Sequence, residues 1–218
     1  NFDIRKTLLK FDNVLNDQRH VIFSQRNKVL NDNEINSYSD SFLNEVTNNL
    51  KNLKAKYLQK PNSNDFSNQL KSIVGKSFNE EEVLKLINSK DNDFVELINQ
   101  KFEEKRKERV KILELNQARE IEKRIFLQLI DQNWKLHIQY LEQLRQVIGL
   151  RSYGQRDPLI EYKKEAFALF ENLLNKLKTD LVTILLNLKI IENSTEKENE
   201  NNTSENFKKL SKTKIGRN

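Results

Sequence analysis

The chain has 218 residues, of which 32% are charged, 4 are Gly, 2 are Pro and none is Cys or Met. So few glycines and prolines cannot supply the regular turns of a β-sandwich or barrel, nor the glycine-rich phosphate loop of an α/β nucleotide-binding fold. Without cysteine there are no disulfides, thiolate nucleophiles or cysteine-based zinc sites. The 38 basic and 32 acidic residues give a net charge of +6, which fits a solvated helical surface or contact with an anionic partner. We therefore expect an all-α fold.

The ends of the sequence suggest a segment rather than a complete protein. No apolar run approaches the roughly 18 residues of a membrane span, and no signal peptide opens the chain. The chain contains no Met, and Asn1 is too large for routine removal of a preceding initiator Met. We therefore expect a segment of a longer protein.

The first predicted element is a long helix over residues 2–30. Its apolar positions recur at spacings of three, four and seven, interrupted by Gln18 and Gln25 on the same line. These positions are Ile4, Leu8, Phe11, Leu15, Ile22 and Val29. At 1.5 Å per residue the helix is about 42 Å long, so we expect it to lie across several other elements.

Residues 31–117 predict a small bundle of shorter helices. A second helix follows a break at 31–33, and Gly75 ends a short segment further on. Asn79, with Glu82 three residues later, predicts a capping box at the start of another helix. No recognisable chemical site lies in this region.

Two long apolar stripes predict an antiparallel helical hairpin. One near-continuous helical pattern covers residues 93–148, and a second covers residues 159–191. Because the connection at 149–158 is short, the two helices must fold back on each other, with this loop at the tip of the hairpin. Residues 192–218 lose the apolar periodicity and change from acidic to basic, which predicts a disordered tail.

The tip loop contains the best candidate contact residues of the chain. Gly149 suits a left-handed C-cap, Asp157 an N-cap and Pro158 the first helical position. The candidate contact residues between them are Arg151, Tyr153, Gln155 and Arg156. An aromatic ring between two guanidinium groups offers stacking, burial and hydrogen bonds to a polypeptide of any sequence. The alternative is a plain capped turn whose charges keep it soluble, as in many short helix connections.

Other conspicuous residues are interpreted as structural. His137 lies on the apolar stripe three residues after Trp134, and no second His or carboxylate pair supports a metal or proton-transfer role. The alternating acids and bases of residues 101–124 are typical of solvated ion-pair faces. No Walker loop or catalytic triad is present, so we expect no catalytic residue, cofactor or metal site in this chain.

Two stretches of the sequence resemble the SecA family of bacterial preprotein translocase ATPases. The first resembles the family's long scaffold helix and reads NFDIRKTLLKFDNVLNDQR at 1–19 and SQRN at 24–27. The second resembles the two-helix finger with its tip and reads WKLH at 134–137, LR at 144–145, LRSY at 150–153, QRDP at 155–158 and EYKKEAF at 161–167. Residues 214–218, KIGRN, resemble the start of the family's C-terminal zinc motif. Ser152 departs from the family, whose members usually have Gly or Ala there.

The resemblance implies a domain organisation. It places a scaffold helix at 1–30, a helical wing at 31–117 by position only, a two-helix finger at 118–191 and a linker tail at 192–218. The nucleotide-binding motor domains would precede this segment, so the parent protein would use ATP with Mg²⁺. It would also bind zinc where it keeps the cysteine tail.

The resemblance also implies a function and partners. The parent would push unfolded preproteins through the SecYEG channel from the bacterial cytoplasm, at the surface of the inner membrane. The scaffold helix would touch the motor domains of the same chain, and the finger tip, with Tyr153, would contact the moving polypeptide. An anionic membrane surface and a second copy of the parent are further expected partners, and nucleic acid is not.

Two hypotheses from other classes compete with this one. A basic helical coiled-coil adaptor would bind nucleic acid or an anionic membrane through residues 207–218, with an affinity that falls steeply with salt. A free-standing helical enzyme would need site chemistry that the sequence lacks.

Overall fold

A computed structural model of the chain describes residues 2–31, 35–59, 65–148 and 157–190, and for residues 2–8 and 65 the backbone alone. Over these residues it contains seven helices and no strand, which confirms the predicted all-α fold. The helices are α1 (Phe2–Asn31), α2 (Ile35–Gln59), α3 (Asp65–Val74), α4 (Glu80–Asn88), α5 (Asp91–Leu113), α6 (Leu115–Ile148) and α7 (Pro158–Asn187).

The chain divides into two units, Asn1–Leu188 and Lys189–Asn218. The seven helices all belong to the first unit. The tail predicted at 192–218 lies outside the described residues. None of the seven helices is both long and apolar enough to span a bilayer.

Helix α1 lies along the hairpin formed by α6 and α7. Toward the start of α1, Asp12 forms an ion pair with Arg145 of α6, with 3.3 Å between Oδ1 and Nη1. Toward its end, Arg26 pairs with Asp131, with 3.0 Å between Nε and Oδ1. Helix α1 therefore runs antiparallel to α6. The predicted long first helix and the predicted antiparallel hairpin are both confirmed.

Two groups of buried apolar side chains form the core. The smaller group joins α1 to the loop end of the hairpin and comprises Phe11, Leu141, Leu144, Ile148, Tyr162 and Ala166. The larger group joins α2, α3, α4 and α5 to the rest of α1, α6 and α7. Its fully buried aromatic residues are Phe66, Phe94, Phe102 and Phe126. Each such side chain contributes about 1.5–3 kcal/mol by leaving water. The bundle of shorter helices thus shares one continuous core with the half of the hairpin far from the loop.

Two local signals in the bundle are confirmed. Helix α3 ends at Val74, before Gly75, where a Cβ would collide with the backbone carbonyl oxygen of Lys71. Helix α4 begins with the predicted capping box: the backbone N–H of Glu82 donates to Asn79 Oδ1, and the backbone N–H of Asn79 donates to Glu82 Oε2, both at 2.8 Å. The second of these bonds is the main reason why the pKa of Glu82 is lowered.

The near-continuous helix expected over 93–148 is wrong at one position. Glu114 has φ 64° and ψ 161°, a conformation that ends α5 at Leu113 and lets α6 begin at Leu115. No Gly or Pro marks this break. Its physical reason is tertiary: on either side of Glu114, Arg109 and Glu122 meet in a buried ion pair.

The second arm of the hairpin is shorter than expected. The apolar stripe predicts a helix through residue 191, but α7 ends at Asn187 and Leu188 is extended. The Asn187 side chain donates to Ile73 O (2.8 Å) and accepts from the backbone N–H of Lys76 (3.0 Å). These bonds tie the end of α7 to the end of α3.

Candidate functional site

The predicted tip loop is described only at its two ends. Gly149 and the predicted contact residues Arg151, Tyr153, Gln155 and Arg156 lie outside the described residues, so their roles stay predictions. Asp157 caps α7 as predicted, because its Oδ1 accepts from the backbone N–H of Leu159 at 2.8 Å. Pro158 is the first residue of the helix, where its missing N–H needs no partner.

The loop ends rest on the smaller core group. Ile148, the last residue of α6, is buried with Tyr162 in the first turns of α7. The rings of Phe11 and Tyr162 meet edge to face with centroids 4.7 Å apart, a favourable aromatic geometry. Burial raises the pKa of Tyr162. Helix α1 therefore holds the hairpin at the point where the loop leaves it.

A buried polar layer separates the two core groups. Gln18 of α1 donates from Nε2 to the backbone carbonyl oxygen of Ala166 in α7, at 3.0 Å. Its Oε1 lies 2.7 Å from Nε2 of His137 in α6. Since the amide nitrogen faces the Ala166 carbonyl, Oε1 must be the acceptor, so the hydrogen lies on Nε2 of His137. One carboxamide thus contacts both helices of the hairpin.

His137 is neutral in this layer. It is 2% exposed, and burial lowers its pKa from 6.5 to about 4. The ring lies between Trp134 and Phe170, with centroid separations of 5.5 Å and 5.7 Å. Trp134 is also buried. Both side chains therefore pack in the interior of the hairpin.

The opposite end of the hairpin is fixed by a buried arginine. Arg109 and Glu122 are each 2% exposed, with 2.7 Å between Nη2 and Oε1. Arg109 Nη1 also donates to the backbone carbonyl oxygen of Leu185, at 2.6 Å. The expectation that the charges of 101–124 are all solvated is therefore wrong for this pair, because the packing of α5 against α6 and α7 encloses both side chains.

A second buried cation lies in the bundle of shorter helices. Lys54 of α2 is 1% exposed, and its Nζ donates to Leu86 O (3.3 Å), Ser89 O and Ser89 Oγ (3.4 Å). The ammonium also lies 4.9 Å from the centroid of the Phe94 ring. It satisfies carbonyl groups at the end of α4, where a cation is favoured. Burial lowers its pKa.

Among these polar residues, the sequence indicates a packed structural role for His137 alone. Gln18 was visible only as an interruption in the apolar stripe of α1, and Lys54, Arg109 and Glu122 gave no signal that separates them from surface charges. Among the described residues, no group of three or more His, Asp and Glu side chains is arranged to hold a metal ion.

Apolar side chains also lie on the outside of the hairpin. On α6, Leu136, Tyr140 and Val147 are about half exposed, and on α7 Ile160 and Phe167 are more than 60% exposed. Leu136 and Tyr140 line a groove of about 160 Å³ between the two helices. Exposed apolar surface of this kind is suited to contact with another chain.

Comparison with known proteins gives a consistent result. Residues 1–189 match the family model described as the SecA Wing and Scaffold domain. The Protein translocase subunit SecA of Pelagibacter ubique is 63% identical over 196 residues, which is 90% of this chain and 23% of the relative. The same subunit from Caulobacter vibrioides is 37% identical over 193 residues, covering 87% of this chain and 21% of the relative. The chain thus spans less than a quarter of the length of these two relatives.

Proposed function

Because the chain belongs to the SecA family, we propose that it is the part of a protein translocase that links an ATP-driven motor to the moving polypeptide. Its curated relatives carry the name Protein translocase subunit SecA. Neither the family match nor these relatives favour the alternative of a basic adaptor for nucleic acid. The segment acts in this proposal as a mechanical module.

One observation carries the proposal: helix α1 packs along both arms of the hairpin. The contacts of Phe11 with Tyr162 and of Gln18 with His137 and Ala166 join the three helices close to the loop. A displacement of α1 would therefore be passed to the loop end of the hairpin. This supports a role for α1 as the input and for the loop as the output of the module.

The chemistry of ATP belongs outside this segment. Its sequence has no glycine-rich phosphate loop, so we assign it no nucleotide or Mg²⁺ ligand and no catalytic step. The motor domains of the full-length protein would hydrolyse ATP and move α1. Any zinc would be held by a cysteine tail, since this chain has no cysteine.

The proposed partners follow from the two ends of the module. Helix α1 would contact motor domains of its own chain, and the loop would enter the SecYEG channel and touch the unfolded preprotein. The work would take place in the bacterial cytoplasm, at the anionic surface of the inner membrane, with the protein acting alone or as a homodimer. The exposed apolar residues Ile160 and Phe167 beside the loop are suited to such contacts.

We assign the contact with the preprotein to Tyr153, flanked by Arg151, Gln155 and Arg156. A ring and two guanidinium groups bind by stacking and by hydrogen bonds to the backbone, which every polypeptide offers. This contact would tolerate any sequence, as a translocase requires.

The test replaces Tyr153→Ala in a full-length SecA that carries this segment. Preprotein transport into SecYEG vesicles is expected to fall severalfold, while basal ATP hydrolysis without preprotein stays near the parent rate. Tyr153→Phe is the matched control, because it keeps the ring, and it should retain most of the transport. Normal transport by Tyr153→Ala would rule out the assignment of the tip.

A further inference from the structure

We propose that Gln18 is a positioning residue that fixes where α1 sits along the hairpin. The inference deepens the proposed function, on which it rests for its consequence in transport. It assigns a role to a residue that sequence reasoning treated as an interruption. The juxtaposition that carries it is one buried carboxamide of α1 between His137 of α6 and the Ala166 carbonyl of α7.

The hydrogen bonds of this polar layer are all satisfied at only one axial position of α1. Gln18 is 7% exposed, and His137 is 2% exposed, so neither side chain can turn to water. A shift of α1 by one turn in either direction would place Val14 or Ile22 opposite the imidazole. The N–H of His137 would then be buried without an acceptor, which apolar neighbours cannot compensate.

The two apolar core groups on either side of the layer cannot fix the axial position of α1 by themselves. Interdigitated aliphatic and aromatic side chains tolerate repacking at moderate cost, so they specify the register of two helices less sharply than a hydrogen bond with one geometry. Fixing the register of packed helices is the best-attested use of a single buried polar residue. The polar layer of Gln18 lies between the two core groups, so it can fix the position of α1 against the hairpin in both of them.

Helix α1 contains a second glutamine that can be compared with Gln18. Gln25 lies seven residues after Gln18 on the same face, is half-buried, and its Oε1 has no hydrogen-bond partner within the part of the chain that the structure describes. The two glutamines share a residue type and a helix face, but among the contacts of the described residues only Gln18 bonds to both arms of the hairpin. Gln25 is therefore a matched control.

The test compares three variants in a full-length SecA carrying this segment. Gln18→Leu leaves the His137 N–H buried and unpaired. The double variant Gln18→Leu with His137→Leu removes both polar groups and makes the layer apolar. Gln25→Leu makes the same substitution where the side-chain oxygen has no partner. Thermal stability, basal ATP hydrolysis and preprotein transported per ATP are measured for each.

The expected results separate positioning from stability. Gln18→Leu should lower both the Tm and the transport per ATP. The double variant should regain the Tm, because replacing both partners with apolar groups is close to neutral, while transport per ATP stays severalfold low. Gln25→Leu removes a buried oxygen that has no partner, so its Tm should equal or exceed that of the parent, and its transport per ATP should match that of the parent. Transport that recovers together with the Tm in the double variant would overturn the proposal.

A second measurement does not depend on transport. Spin labels at Asn16→Cys on α1 and Gln139→Cys on α6, both exposed positions, report the spacing of the two helices in a host freed of accessible cysteines. The distance distribution should be narrow in the parent and in Gln25→Leu, and broad or shifted in the double variant. A narrow, unchanged distribution in the double variant would refute the positioning role. A further outcome is that the unsubstituted full-length protein transports no preprotein while the spin-label distances still change in the double variant as expected. That result would contradict the proposed function and leave the positioning role of Gln18 standing.

Discussion

The guanidinium of Arg109 and the carboxylate of Glu122 form a buried ion pair across the break between α5 and α6, with 2.7 Å between Nη2 and Oε1. Since Arg109 also donates to the Leu185 carbonyl oxygen, one side chain of α5 holds α6 and the end of α7. Asn187 adds two bonds from α7 to the end of α3. The hairpin is therefore anchored at the end opposite to its loop.

Removing one partner of this pair should be costly. Arg109→Met keeps most of the apolar stem but leaves the Glu122 carboxylate buried without its cation, so the free energy of unfolding should fall by about 3–5 kcal/mol. Urea denaturation followed by circular dichroism measures the loss. Lys107→Met, at an exposed position of the same helix, is the control and should change stability by less than about 0.5 kcal/mol.

Removing both partners should cost less than removing one. In Arg109→Met with Glu122→Leu no charge remains buried, and apolar replacements of a buried pair are often neutral. The double variant should therefore be more stable than Arg109→Met alone, with a clear coupling energy in the double-mutant cycle. Strictly additive losses would show that the two side chains do not stabilise each other.

Glu114→Gly should stabilise the chain. The φ of 64° and ψ of 161° at Glu114 belong to a region that only glycine occupies readily, and other residues there cost on the order of 1–3 kcal/mol. Glycine relieves this strain but gains entropy in the unfolded chain, so we expect a net increase of about 1 kcal/mol in the free energy of unfolding. Glu114→Ala keeps a Cβ and should bring no gain. Equal effects of the two variants would contradict the strain.

The same position shows why part of the fold could not be predicted from sequence. The capping box of Asn79 and the cap at Asp157 are local patterns and are found where they were expected, whereas the helix stripes predicted the helices but not the break at Glu114 or the end of α7 at Asn187. The break at Glu114 has no local signal, because it depends on a pair formed after the helices pack. Gln18 and His137 interrupt separate stripes 119 residues apart, and their pairing depends on the register of two helices, which neither stripe contains.

Lys54→Met should destabilise the bundle of shorter helices. Methionine preserves the packing of the stem but removes the donor that binds the carbonyl groups of Leu86 and Ser89 at the end of α4. Leaving buried acceptors unpaired costs about 1–3 kcal/mol, partly offset because an ammonium is no longer desolvated. Lys56→Met, at an exposed position two residues on, should be close to neutral. Urea denaturation of both variants measures the difference, and equal stabilities would refute the capping role.

The stability of the chain should depend on the protonation of His137. Its pKa is lowered from 6.5 to about 4 in the folded state by burial, so the unfolded chain binds a proton in a pH range where the folded chain does not. Stability is therefore greatest above pH 6.5 and falls as the pH decreases from 6.5 to 4. A pKa shift of this size corresponds to a loss of about 3 kcal/mol in the free energy of unfolding between pH 6.5 and pH 4.

Comparison with variants separates the contribution of His137 to the pH dependence of stability from that of the acidic side chains. The chain has two histidines, and His20→Gln, at the exposed one, is the matched control. In Gln18→Leu with His137→Leu the group that titrates is absent, and the free energy of unfolding should fall less between pH 6.5 and pH 4. Urea denaturation at steps across this range gives the three curves. Parallel curves for the parent and the double variant would mean that His137 is not the buried neutral group of the layer, because only a group whose pKa differs between folded and unfolded chains adds slope.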